Sequence, residues 1–130
     1  MRLALDTNAY SEFMRGSPVL KDWIQLAEEI GVSTVVMGEL RSGFEAGKKA
    51  KANEAGLVRF LQSSRVVVHG IDEQTTFHYA RILCALREVG RPIPTNDIWI
   101  AASAVQHGYL LVTRDAHFDG LPGLAKLSGF

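Results

Sequence analysis

The segment PIPTNDIWIAASAVQHGYLLVTRD, residues 92–115, decides the fold. Prolines at 92 and 94 turn the residues before them away from helix, so a helix begins only after Pro94. From Ile98 to Val105 nearly every residue is apolar or small. A helix over this span is hydrophobic around most of its circumference, and such helices are buried by other elements. Gly108 closes it, and YLLVT (109–113) reads as a strand. A buried helix feeding a short apolar strand belongs to a parallel sheet covered on both faces by helices. Yet the first turn of this helix carries Asp97. A carboxylate entering a buried element needs a partner, because an unpaired buried charge is costly.

The same alternation extends over the rest of the chain. RLAL (2–5) is a strand ending at Asp6. A short helix with the stripe Tyr10, Phe13, Met14 follows and closes at Gly16. Ser17 is a good N-cap and Pro18 fits the first helical position, so the next helix starts there. Its stripe of Leu20, Trp23, Ile24, Ala27 and Ile30 places its end at Gly31. A brief strand at 32–34 leads into a helix with Val36, Leu40 and Phe44 at four-residue spacing. Residues 48–64 continue as a helix with Leu57, Phe60 and Leu61 inward. RVVVHG (65–70) is a strand, and DEQTTFHYARILCALREVG (72–90) is a helix ended by Gly90. A loop over 114–122 and a last short strand in LAKLSG (124–129) complete the chain. The pattern predicts one domain, residues 1–130, built as a three-layer α/β/α sandwich around a central parallel sheet.

Composition narrows the function classes. Apolar residues make up 47% and charged residues 22% of the 130, which fits a globular domain. Lys+Arg and Asp+Glu both number 14, so net charge gives no argument for nucleic-acid binding and any such role must rest on local clusters. Met1 is followed by Asp6 with no apolar leader, and no apolar run reaches the ~18–20 residues of a membrane span, so the expectation is a soluble cytoplasmic protein. The lone cysteine, Cys84, allows no intrachain disulfide. Among Ile82, Leu83, Ala85 and Leu86 it reads as a small buried hydrophobe. His69, His78, His107 and His117 stand at no zinc-ligand spacing and read as surface or structural histidines.

Open parallel sheets bind ligands at the carboxyl ends of their strands. Asp6 falls there, just after RLAL, and Asp115 lies two residues past YLLVT. Glu39 lies beside the apolar stripe of its helix, and Asp97 opens the buried helix, one turn before Ala101. Each acid also has a plain structural explanation. Asp6 could cap the following helix, Glu39 could face solvent, Asp97 could complement the helix dipole, and Asp115 could close an Asx turn. Taken together they converge on one edge of the sheet. Carboxylates sharing a site must protonate or bind cations, and oxygen ligands suit Mg²⁺ or Mn²⁺.

LALDTNAYSEF, VSTVVMGELRSGFEAG and RPIPTNDIWIAASAVQHGYLLVTRDAHFDGLPGL together resemble a PIN-domain ribonuclease of the VapC toxin type, over Arg2 to about Leu127. DTN after the first strand, GEL, NDIWIAA and TRD stand in that family's order. The resemblance implies metal-dependent endonucleolytic cleavage of RNA, with Mg²⁺ or Mn²⁺ held by the acids Asp6, Glu39, Asp97 and Asp115. Asp6 and Asp97 are the first choice as ligands of the ion. Thr7, Asn8, Asn96 and Thr113 would support the acids. It further implies a cognate antitoxin protein and a homodimer. Arg41, Arg91 and Arg114 are candidates for holding RNA phosphates, and Lys48, Lys49 and Lys51 read as a solvated helix face.

Two decoys fail, one on spacing and one on residue identity. GFEAGKK lacks the four residues between glycines and the Ser or Thr of a phosphate-binding loop. ALDTN resembles the D-x-D of aspartate-nucleophile phosphotransferases, but Asn8 replaces the second acid, leaving that as the weaker enzyme alternative. A non-catalytic RNA-binding or scaffolding module on the same fold would be expected to lack some of the acids, and all four are present.

Overall fold

A computed structural model describes residues 1–130. In chain order the elements are β1 (Arg2–Leu5), α1 (Thr7–Met14), α2 (Pro18–Leu26), β2 (Glu29–Ser33), α3 (Thr34–Ala46), α4 (Ala50–Leu61), β3 (Val66–His69), α5 (Glu73–Glu88), α6 (Thr95–His107), β4 (Leu110–Val112) and β5 (Ala125–Leu127). A single 3₁₀ turn, Ala116–Phe118, lies between the last two strands. The strands form one parallel sheet in the order β3-β2-β1-β4-β5. The α/β sandwich expected from the alternation is therefore the observed architecture. α1 packs on α2 and α3, α3 on α4, and α5 chiefly on α6, with α3 also meeting α6.

The chain runs outward from β1 to β2 and β3, then crosses back to lay β4 on the other side of β1. That reversal opens a crevice at the carboxyl ends of β1 and β4. Asp6 leaves β1 there, and Thr113, Arg114 and Asp115 leave β4 beside it.

α6 behaves as its composition requires. Ile98, Ile100 and Ala101 to Ala104 are all buried, and Gly108 closes the helix with φ 70°, a left-handed conformation that a glycine adopts without a Cβ penalty. In the sheet, Leu3, Leu5, Ile30, Val32 and Val112 are buried on one face and Leu111 on the other. Tyr79 of α5 stacks on Trp99 of α6 at 3.9 Å, joining the two helices. No helix is long and apolar enough to cross a membrane.

Two expectations are corrected here. Gly31 does not end α2, which stops at Leu26 with Ala27 already extended. It sits inside β2, paired with Ala4 and Val67. A Cβ on Gly31 would lie 2.5 Å from the ring of Tyr109, so the glycine marks a close approach rather than a helix stop. β2 accordingly begins at Glu29, three residues earlier than the periodicity suggests, and Ile30, placed on a helix by that periodicity, is buried in the sheet. Cys84 is exposed on α5 rather than buried, because the core face of that helix is carried by Thr75, Ile82 and Leu86.

Candidate active site

Asp6 is fixed by its neighbours before any ligand is considered. It is the N-cap of α1, with Oδ1 accepting from the Ala9 amide at 2.7 Å. Its Oδ2 accepts from the Thr113 hydroxyl at 2.5 Å, across 107 residues of sequence. The same Thr113 hydroxyl accepts from the Asp115 amide at 3.0 Å, so one buried threonine ties the exit of β1 to the exit of β4. Asp6 is only 4% exposed.

The other acids arrive from separate elements. Glu39, on α3, accepts from the Thr7 hydroxyl at 2.5 Å and from Asn96 at 3.4 Å. Asp97 stands in the first turn of α6. Asp115 caps the 3₁₀ turn, its Oδ1 accepting from the His117 amide at 2.9 Å. All four acids, with Thr7, Asn8 and His117, line one cleft of about 220 Å³. Asn96 and Thr113 do not line it and act through Glu39 and Asp6.

No lysine or arginine lines this cleft. Burial raises the carboxyl of Asp6 above its ordinary range. The Thr113 and Ala9 hydrogen bonds pull it back down, and the charges of Asp115 and Asp97 push it up again. Burial also raises Asp97, against the hydrogen bond from His117, with Asp115 and Glu39 adding repulsion. Buried like charges in this state call for a cation. Asp97, Asp115 and His117 each direct one ligand atom into a volume where all three lie within 4.8 Å of one another. The donor set therefore fits a divalent ion, with two carboxylates and one imidazole nitrogen facing it.

His117 is the residue that sequence reasoning missed. Its Nδ1 lies 2.8 Å from Asp97 Oδ2 and 3.4 Å from Asp115 Oδ1. Within this chain it is the partner that the buried helix's carboxylate requires. The signal lay in the two-residue offset from Asp115, which a tight turn folds back on itself, whereas zinc-ligand spacing relates histidines to other histidines and cysteines.

The three arginines proposed for phosphates are engaged elsewhere. Arg41 makes a two-pronged pair with Glu54, with contacts of 2.8 and 3.1 Å. Arg114 pairs with Glu12 at 3.3 Å and lies over the Phe130 ring. Arg91 donates to three backbone carbonyls, of Asp119 at 2.5 Å, Ala116 at 2.7 Å and His117 at 3.0 Å. It thus clamps the turn that carries Asp115 and His117. Arg91→Ala should cost about 1 kcal/mol of stability, a charge-assisted set discounted for its exposure, and should loosen this turn. Hydrogen exchange of the 115–119 amides checks it. Unchanged protection there would remove the clamp from the account.

The fold and cleft define an α/β domain with an acidic site at the switch point of its sheet. The family model for the PIN domain matches residues 3–124. Ribonuclease VapC4 of Mycobacterium tuberculosis is 36% identical over 100 residues, 77% of each chain. The VapC ribonuclease Y4jK of Sinorhizobium fredii is 31% identical over 123 residues, 87% of this chain and 86% of that one. Among solved structures, VapBC2 of Rickettsia felis, bound to a DNA fragment from its promoter, superposes over all of both chains with a TM-score of 0.90 at 27% identity. The chain belongs to the PIN-domain family and, within it, to the VapC ribonucleases.

Proposed function

We propose that the chain is a metal-dependent endoribonuclease acting as the toxin of a toxin–antitoxin pair, with Asp6, Glu39, Asp97 and Asp115 as its acidic site. The observation that carries this reading is the cleft itself. Four acids from four different parts of the chain meet there, with no lysine or arginine among the lining residues. The VapC ribonucleases to which it is related support RNA as the substrate. The Rickettsia felis VapBC2 structure supports a cognate antitoxin as partner. A homodimer is part of the same proposal.

The roles follow from the geometry. Asp97 and Asp115, with carboxylates open to the cleft, would hold Mg²⁺ or Mn²⁺. Asp6 lines the same cleft, buried and fixed by its two hydrogen bonds, and would share the ion with them. Glu39, oriented by Thr7 and Asn96, faces the cleft from α3 and would orient the attacking water. When bound, the ion lowers the pKa of a water and offsets charge on the phosphate oxygens. Asn8, on the rim, would contact the incoming strand.

The test uses purified protein on RNA with Mg²⁺ or with EDTA, beside Asp6→Asn. Asparagine keeps the N-cap of α1 while removing the charge. Cleavage should require the metal and vanish in the variant. Expression without an antitoxin should arrest growth, and Asp6→Asn should relieve it. Equal cleavage by the two proteins would mark the activity as a contaminant and end the proposal.

A further inference from the structure

The acids of the cleft differ in which partners hold their oxygens. Both oxygens of Asp6 already accept hydrogen bonds, from Ala9 and Thr113. Both oxygens of Glu39 accept as well, from Thr7 and Asn96. One carboxylate oxygen each of Asp97 and Asp115 converges with the Nδ1 of His117; the ring is hydrogen-bonded to Asp97 Oδ2, and Asp115 Oδ1 accepts from the His117 amide. The two edges at Nδ1, 2.8 Å and 3.4 Å, straddle the ~3 Å that separates adjacent ligands of an octahedral ion with bonds of about 2.1 Å.

His117 is also placed with care. It sits in the middle of a one-turn helix whose next residue, Phe118, is buried in the core. Its amide is held by Asp115 and its carbonyl by Arg91. The backbone is thus pinned on both sides of a ring whose nitrogen points at two carboxylates. A surface histidine needs none of this.

Donor type decides which ion such a set prefers. Mg²⁺ is hard, favours oxygen and gives up water reluctantly. Mn²⁺ takes carboxylates as Mg²⁺ does and, as a first-row transition ion, also takes imidazole nitrogen. We propose that His117 Nδ1 is a direct ligand of the ion held by Asp97 and Asp115, and that this mixed nitrogen–oxygen set makes the site bind Mn²⁺ in preference to Mg²⁺. The inference rests on the metal-dependent reading above. It differs from an acid-only site, and from a histidine that merely neutralises Asp97.

The test is binding, independent of turnover. Mn²⁺ and Mg²⁺ are titrated calorimetrically into the full chain and into His117→Ala, and the Mn²⁺-loaded wild type is examined by pulsed electron paramagnetic resonance for coupling to a bonded nitrogen. The wild type should bind Mn²⁺ more tightly than Mg²⁺ and show the nitrogen coupling. His117→Ala should lose the coupling and at least about tenfold in Mn²⁺ affinity, with a much smaller loss for Mg²⁺. The coupling measured in the wild type does not depend on the variant folding. Manganese bound without nitrogen coupling, with binding lost in Asp115→Asn, would overturn the role of His117 and leave the acidic site standing. Affinity for both ions unchanged or raised in His117→Ala would do the same, since that is what a mere counter-ion predicts. Failure of the wild type to bind either ion would overturn both this inference and the reading it rests on.

Discussion

Asp97→Asn is expected to lower metal-supported RNA cleavage by at least about a hundredfold. A bound ion supplies several kcal/mol of charge stabilisation in the transition state, and each ~1.4 kcal/mol lost is a factor of ten. The same substitution should not destabilise the metal-free fold. Burial, Asp115 and Glu39 all push the Asp97 carboxyl above its ordinary range, against His117 alone. The folded, ionised form therefore carries a penalty at neutral pH that asparagine removes. With EDTA the variant should melt no earlier than the wild type. With metal the wild type should gain by mass action, about 2.7 kcal/mol at a hundred times the dissociation constant, and the variant much less. An equal metal-induced shift in the two proteins would strike Asp97 from the ligand set.

The largest effect on stability should come from Gly31→Val. Valine is the better strand former, so propensity alone forecasts a gain. The structure forecasts the opposite. The new Cβ would meet Cε2 and Cζ of Tyr109 at 2.5 Å. Tyr109 cannot step aside cheaply. Its hydroxyl donates to Glu29 at 2.5 Å and accepts from His69 Nε2 at 2.8 Å, and Arg2 lies 4.6 Å over its ring. Overpacking costs about 1–3 kcal/mol, and a displaced buried hydroxyl adds about 1–3 more. Urea unfolding at an unchanged m-value should show a loss of roughly 3 kcal/mol or more, with Gly31→Ala intermediate. A Gly31→Val protein as stable as the wild type would mean that the ring is free to move.

These two residues show where the sequence was legible. Asp97 announced itself because a charge at the head of an apolar helix contradicts its surroundings. The conflict was visible in one dimension, and the acids at strand ends pointed to its resolution, but that β1 and β4 are neighbours came only with the sheet order. Gly31 carried no such contradiction. A glycine after an apolar stripe looks the same whether it ends a helix or makes room for a ring 78 residues away, just before β4, and only the sheet's register separates the two. His117 failed for a related reason. Its ligating geometry comes from a turn and from the clamp of Arg91, both tertiary. Arg91 itself read as a free cation because a guanidinium bound to carbonyls leaves no trace in charge patterning.

The hydrogen bond from Thr113 to Asp6 joins the first strand to the fourth. Asp6 leaves the ribosome early, but its partners Asp97, Thr113 and Asp115 are all made in the last third of the chain. At roughly 5–20 residues per second, several seconds of synthesis separate the first acid from the last. Throughout that interval no fragment holds the complete set, and a chain interrupted before β4 lacks both the threonine and the final acid. Ribonuclease activity is thereby withheld until translation is almost finished.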